Sequence, residues 1–311
     1  MPKKRVALLF HGVVGSKNRH GQLIDYARPL KTHYNNLYNN ETCDLDVFMH
    51  VWDMNNTITD DQLKNDFKPT KFCKMKTIKE GIGETHWKTL NKNYPDNHNF
   101  HTKESCVRIL ERVNSQMFGL YYANELKRQY EKEKGFKYDF VIKTRYDLLL
   151  GYKPDFNKLS NSKFYSLPYN KHDKFHNGKK FITLTDFFWI SGSDIMDEFV
   201  TIAPSFNDYL KNQSFIDYFK GKLEYGWIWH MLNKGIYNNI EVQDFIQHPI
   251  ALDRFFNKNN EFKIGIKESL TGCLPFTGWK NKGLYSRQER KEKLNEIQKK
   301  IKQSVVGNDR Q

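Results

Sequence analysis

The stretch YDFVIKTRYDLLL, Tyr138 to Leu150, sets Arg145 and Asp147 at the end of an apolar run. Residues two apart on an extended chain point to the same face. A carboxylate at such a rigid exit suits a divalent ion, and an arginine beside it suits a diphosphate, whose oxygens its planar fork binds in pairs. The alternative is an intra-strand salt bridge that caps the sheet. The stretch HGVVGSKN holds His11, Gly12, Gly15 and Ser16. Its glycines allow close approach to a nucleotide, and its backbone N–H groups can bind oxygens. The spacing is neither that of a P-loop nor GxGxxG. His50, Trp52 and Asp53 stand together at the end of DVFMHVWD, where an imidazole and a ring can flank a base or sugar. Trp52 reads equally well as core. Asp186, among the rings of TDFFWISGSD, can hold a sugar hydroxyl or cap a turn. Glu224, ahead of Trp227 and His230, can act as a general base or complement a helix N-terminus. His248, before Pro249, is a candidate metal ligand, although an isolated histidine is more often structural.

The elements that must position these groups follow from periodicity. Arg5 to Phe10 reads as a short buried strand, and CDLDVFMHVWD as a second strand that also ends in polar, ligand-capable residues. Leu23 to Tyr38 reads as a helix interrupted by Pro29, and residues 55 to 101 read as irregular. Lys103 to Lys134 is the clearest helix: Val107, Leu110, Val113, Met117 and Leu120 recur at helical spacing, and Gly135 follows as a C-cap. That helix feeds directly into the Tyr138 strand. KFYSLPY and FITLTDFFWIS read as further strands, Asp194 to about Ile202 and Leu223 to Leu232 as helices, and IEVQDFIQHP as a late strand or extended segment. Helices alternating with strands that end in polar loops predict an α/β fold with a mainly parallel sheet, its ligand site at the strands' C-terminal ends. We divide the chain into a domain over residues 1–280 and a charged helical tail over 281–311. Leu294, Ile297 and Ile301 line one face of that tail, which reads as packing on the domain edge or contacting a partner or membrane surface.

Composition narrows the classes. The chain has 311 residues, a formal charge of +14, 23 Phe and 17 Tyr, which suits a ring-built core and an anionic partner. No segment reaches the roughly 20 apolar residues needed to span a bilayer. Cys43, Cys73, Cys106 and Cys273 lie too far apart for a disulfide scaffold or a CxxC site. These features predict a cytoplasmic protein with, at most, peripheral membrane contact. HExxH and GxSxG are absent, so zinc-hydrolase and serine-hydrolase readings lack support.

In their order, DVFMHVWD, QMFGLYYANELKRQYEKEKGFKYDFVIKTRYDLLL, DFFWISGSDIMDEF and LEYGWIWHML resemble glycosyltransferases of bacterial capsule and lipopolysaccharide clusters, a kind also found in large DNA viruses. The similarity spans about Val6 to Leu232. It implies a single GT-A-like, Rossmann-like domain that binds a UDP- or GDP-sugar and, through a DxD motif, Mn²⁺ or Mg²⁺. Asp147 matches the second aspartate of that motif, and Arg145 stands where the first would be, so the arginine can itself neutralise part of the diphosphate. His248 corresponds by order to the late metal-binding histidine, and Glu224 to the acidic base of inverting members. The expected activity is transfer of a sugar from a nucleoside diphosphate sugar to a hydroxyl of a glycan acceptor. His11, Gly12, Gly15, Ser16, His50, Trp52, Asp53 and Arg145 would hold the donor, Asp147 and His248 a metal, and Asp186 and Glu224 would serve the acceptor. In a viral setting the location would be the host cytoplasm. The alternatives are another anionic-donor transferase, such as a sulfotransferase, and a basic nucleic-acid-binding protein. Scattered lysines and acidic strand ends weigh against nucleic acid as a partner.

Overall fold

The structure is a computed structural model that describes residues 2–14, 26–53, 58–75, 82–93, 102–174, 180–219, 221, 223–242 and 250–252, together with positions 292, 295, 296, 299 and 303. Strand β1 (Lys4–Val13) is followed by helix α1 (Ala27–His33), which runs on into a π-helical turn (Tyr34–Tyr38), then by β2 (Cys43–Trp52). Next come α2 (Asp60–Phe67), β3 (Lys71–Met75), α3 (Ile82–Asn93) and the long α4 (Lys103–Lys134). The chain continues through β4 (Phe140–Thr144), β5 (Leu148–Leu150), β6 (Phe164–Lys174), β7 (Lys180–Ser191) and α5 (Ser193–Phe199). It then forms α6 (Ile202–Tyr209), α7 (Gln213–Phe219), α8 (Leu223–Asn233), a 3₁₀ turn (Ile236–Asn239), β8 (Ile240–Val242) and β9 (Ile250–Leu252).

The architecture is α/β, with a seven-stranded, mostly parallel sheet in the order β3-β2-β1-β4-β7-β6-β8. β3, β2, β1 and β4 are mutually parallel, whereas β7 runs antiparallel to both β4 and β6. A separate antiparallel pair joins β5 to β9. β1 is apolar without alternation because both its faces are buried, as parallel central strands require. Val6, Leu8 and Phe10 face a core with Leu30, Leu63 and Phe67, while Ala7 and Leu9 face a second core with α4 and α5 to α8. α4 lies across β1 and β2 through Leu110, Val113, Met117 and Leu120.

Three local features differ from the sequence expectation. Residues 55–101 were expected to be irregular, yet they contain α2, β3 and α3. α2 is held by a reciprocal capping box: Gln62 N–H donates to Thr59 Oγ1 at 3.1 Å, and Thr59 N–H donates to Gln62 Oε1 at 2.8 Å. β3 is short and only half-buried at the sheet edge, so it carries little of the apolar periodicity that betrays a strand. Pro29 does not interrupt α1; it occupies the first turn, where a missing N–H costs nothing. The expected helix from Asp194 becomes two, α5 and α6, divided at Val200 and Thr201.

Gly135 caps α4 at φ +68°, as the spacing predicts, and its N–H donates to the Glu131 carbonyl. The domain boundary expected at 280/281 lies outside the described residues. The described tail positions 292, 295, 296, 299 and 303 have helical backbone.

Candidate functional site

The parallel strands β1, β2 and β4 present their C-terminal ends at one edge of the sheet, where polar side chains replace the apolar run. In register, His11 of β1 stands beside His50 of β2, and Leu9 stands beside Lys143 of β4. His11, His50, Lys143 and Arg145 therefore follow, at steps of two, the positions that face α4. β4 ends at Thr144, and the chain turns at Tyr146 and Asp147.

Arg145 is the hub of this edge. Its Nε donates to Asp147 Oδ1 at 2.9 Å, one terminal nitrogen donates to Asp147 Oδ2 at 3.1 Å, and the other donates to Asp186 Oδ2 at 3.3 Å. The Arg145–Asp147 salt bridge of the alternative reading is thus present and bidentate, although it spans the turn after β4 instead of lying within a strand. The three side chains keep 22%, 13% and 16% of their exposure respectively, so the cluster is sunken and still open to a ligand. Burial opposes the charge on Arg145, but Asp147 and Asp186 outweigh it and hold the guanidinium protonated.

Asp186 reaches Arg145 because of strand direction. β7 is antiparallel to β4 with Lys143 opposite Trp189, so Asp186, three residues earlier, extends past the end of β4. Its backbone carbonyl accepts a short hydrogen bond from Lys143 Nζ. Lys143 is 1% exposed, and its Nζ lies 4.4 Å from the centre of the Trp189 ring. Burial lowers its pKa to about 7, Asp186 and Asp147 pulling it up and Arg145 pushing it further down. Sequence reasoning passed over Lys143; a lysine in the middle of FVIKT was the available signal.

His11 and His50 are both buried, and neither of their ring nitrogens has a hydrogen-bond partner among the described residues. A Cβ on Gly119 of α4 would lie 3.2 Å from Trp52 Nε1, 3.4 Å from His11 Nδ1 and 3.5 Å from His50 Nδ1, so the helix can pass this close because residue 119 is glycine. Burial, followed by the charges of Lys143 and Arg145 and by His50, holds His11 well below the usual imidazole range. Burial alone takes His50 to about 4. Both rings are therefore neutral at pH 7.

Of the two readings of Trp52, the geometry is that of core: it is 3% exposed and its indole N–H donates to the Ser115 carbonyl at 2.9 Å. Asp53 is buried at the exit of β2, with Lys74 Nζ 3.4 Å from its Oδ2. Gly12 adopts φ +128°, a conformation glycine takes without strain, near the end of β1, where it still pairs with Val51 of β2. Gly15, Ser16 and His248 lie outside the described residues. Glu224 stands half-buried in the first turn of α8, a helix that packs on α7 and β7.

The described residues do not fit a divalent ion. No group of three or more His, Cys, Asp and Glu side chains converges among them as a ligand set. Both oxygens of Asp147 already accept hydrogen bonds from Arg145. An open groove of about 700 Å³ at the far end of α4, lined by Arg128, Glu131, Phe136 and Lys137 among others, belongs to the opposite edge of the sheet. Among the described residues, no helix is long and apolar enough to cross a membrane.

No protein-family model matches the chain, and no curated protein matches it. Among solved structures, the chain is similar to the apo crystal structure of mouse xyloside xylosyltransferase 1, with 8% identity over 79% of this chain and 86% of that one, and a TM-score of 0.37. Similarity at that level assigns neither a family nor an activity.

Proposed function

We propose that the protein is a glycosyltransferase that moves a sugar from a nucleoside diphosphate sugar to a hydroxyl of a glycan acceptor. The observation that carries this reading is the Arg145–Asp147–Asp186 cluster at the C-terminal edge of the parallel strands, the place where open α/β sheets bind their ligands. A guanidinium fixed by two carboxylates is a preorganised donor for phosphate oxygens and needs no rearrangement at the moment of reaction.

In this reaction the acceptor oxygen bonds to the anomeric carbon while the bond from that carbon to the diphosphate breaks. The nucleoside diphosphate leaves with the electron pair. The hydroxyl proton passes to a carboxylate, and Asp186 and Glu224 are the two candidates. Arg145 stabilises the charge that develops on the departing phosphate, and Asp186, tied to Arg145, orients the acceptor. Gly12, near the end of β1 above the buried His11, His50 and Asp53, lets the nucleotide approach the backbone closely. The net charge of +14 favours approach of an anionic donor.

A thermal-shift screen with UDP- and GDP-sugars, run beside a sulfate donor, tests the class. One nucleotide sugar should stabilise the protein, and Arg145→Ala should remove that shift and lower turnover by about 10²- to 10³-fold. A shift with the sulfate donor alone, or full transfer by a folded Arg145→Ala protein, would overturn the assignment.

A further inference from the structure

We propose that the diphosphate is held directly by Arg145, with Lys143 behind it, and that the described residues of this site hold no divalent cation of their own. The inference rests on the nucleotide-sugar reading for the identity of the ligand, and on the cluster's own geometry for the absence of a metal.

A carboxylate recruits a divalent ion through oxygens that face outward. Here the Arg145 fork covers both oxygens of Asp147, at 2.9 and 3.1 Å. The other carboxylate at this edge, Asp186, already has Oδ2 directed at Arg145 at 3.3 Å. A cation would have to displace that bidentate guanidinium, whose positive charge stands between the two carboxylates. A guanidinium has five N–H groups, and Arg145 commits three of them to the two aspartates, which leaves two for phosphate oxygens. The aspartates fix the plane of the fork, so its orientation is set before the ligand arrives. Lys143 is too buried to touch the ligand. It anchors the Asp186 backbone and thereby acts as a positioning residue.

The test uses the intact protein with inorganic pyrophosphate and Mn²⁺ as separate probes. Calorimetric titration with pyrophosphate in EDTA should show binding, weakened about tenfold or more by Arg145→Met and partly restored by Arg145→Lys, which keeps the charge and loses the fork. Electron paramagnetic resonance of Mn²⁺ should show no bound ion on the wild type that Asp147→Asn removes. The wild-type measurements need no variant to fold. Pyrophosphate binding that vanishes in EDTA and returns with Mn²⁺, or a bound Mn²⁺ lost in Asp147→Asn, would overturn the inference and leave the transferase reading standing. Metal-free pyrophosphate binding with no response to any nucleotide sugar would uphold the site and overturn the transferase reading instead.

Discussion

Five histidines, His11, His33, His50, His86 and His230, are at most 5% exposed. Burial is the leading cause that lowers His33, His50, His86 and His230 to about 4, and it holds His11 further down. His33 illustrates the state this requires. Its Nδ1–H donates to the Pro29 carbonyl at 2.8 Å, so in the neutral ring Nε2 accepts from Thr144 Oγ1 at 2.9 Å, and a second proton would have to turn the Thr144 hydroxyl around and place a charge in a buried site. The folded pKa is depressed, so the unfolded chain binds more protons, and stability falls as pH drops from 6.5 towards 4. At pH 5.5 each of the four groups near 4 should cost about 1.4 kcal/mol, or roughly 5 to 6 kcal/mol together. Set against a typical total of about 5 to 15 kcal/mol, that is a third or more of the stability. Urea unfolding followed by tryptophan fluorescence at pH 7.5 and 5.5 measures it. The slope near pH 5.5 should report uptake of roughly four protons on unfolding, and His33→Gln should remove about one of them. Equal stabilities at the two pH values would refute the reasoning, since they would mean these rings accept protons in the folded state.

Two further perturbations probe how the site is held. Lys127 is fully buried and bridges Glu131 at 3.2 Å and Asp197 at 2.7 Å, pinning α4 to α5. Lys127→Met should therefore cost about 3 to 5 kcal/mol in urea unfolding, and a loss below about 1 kcal/mol would show that the two carboxylates find other partners. Gly192 precedes α5, and a Cβ there would come within 2.1 Å of the Asn161 carbonyl oxygen. Gly192→Ala should cost about 1 to 3 kcal/mol, read as a lower Tm; an unchanged Tm would mean that the 161 loop moves aside freely.

Much of the frame was legible in advance because burial leaves a strong signature. β2 and α4 stand where apolar runs and helical spacing placed them, and Gly135 ends α4 as a glycine C-cap should; β1 runs on through His11 to Val13, and the Tyr138 stretch breaks at a turn into β4 and β5. α2, β3 and α3 were not foreseen. They are short elements at the sheet's periphery, with few buried positions to set a period. The candidate site was half legible. Arg145 and Asp147 stood out as charges after a buried strand, while Lys143, the one charge inside FVIKT, was visible as an anomaly but its contact with Asp186 was not, because that contact depends on the pairing of β4 with β7.

By itself, the sequence determined which residues had to be buried, and therefore that charged groups would gather where the apolar runs stop. That conclusion follows from chain-local physics, since a strand's faces and a helix's stripe are set by residues a few positions apart. What each charge meets was decided only by tertiary structure. Asp186 is 41 residues from Arg145 in the chain, and it reaches the guanidinium because β7 runs antiparallel to β4 and overshoots its end. The pairing of His11 with His50 under Gly119 likewise depends on the β1–β2 register and on where α4 crosses the sheet. Strand direction and register are long-range choices, and no local pattern encodes them.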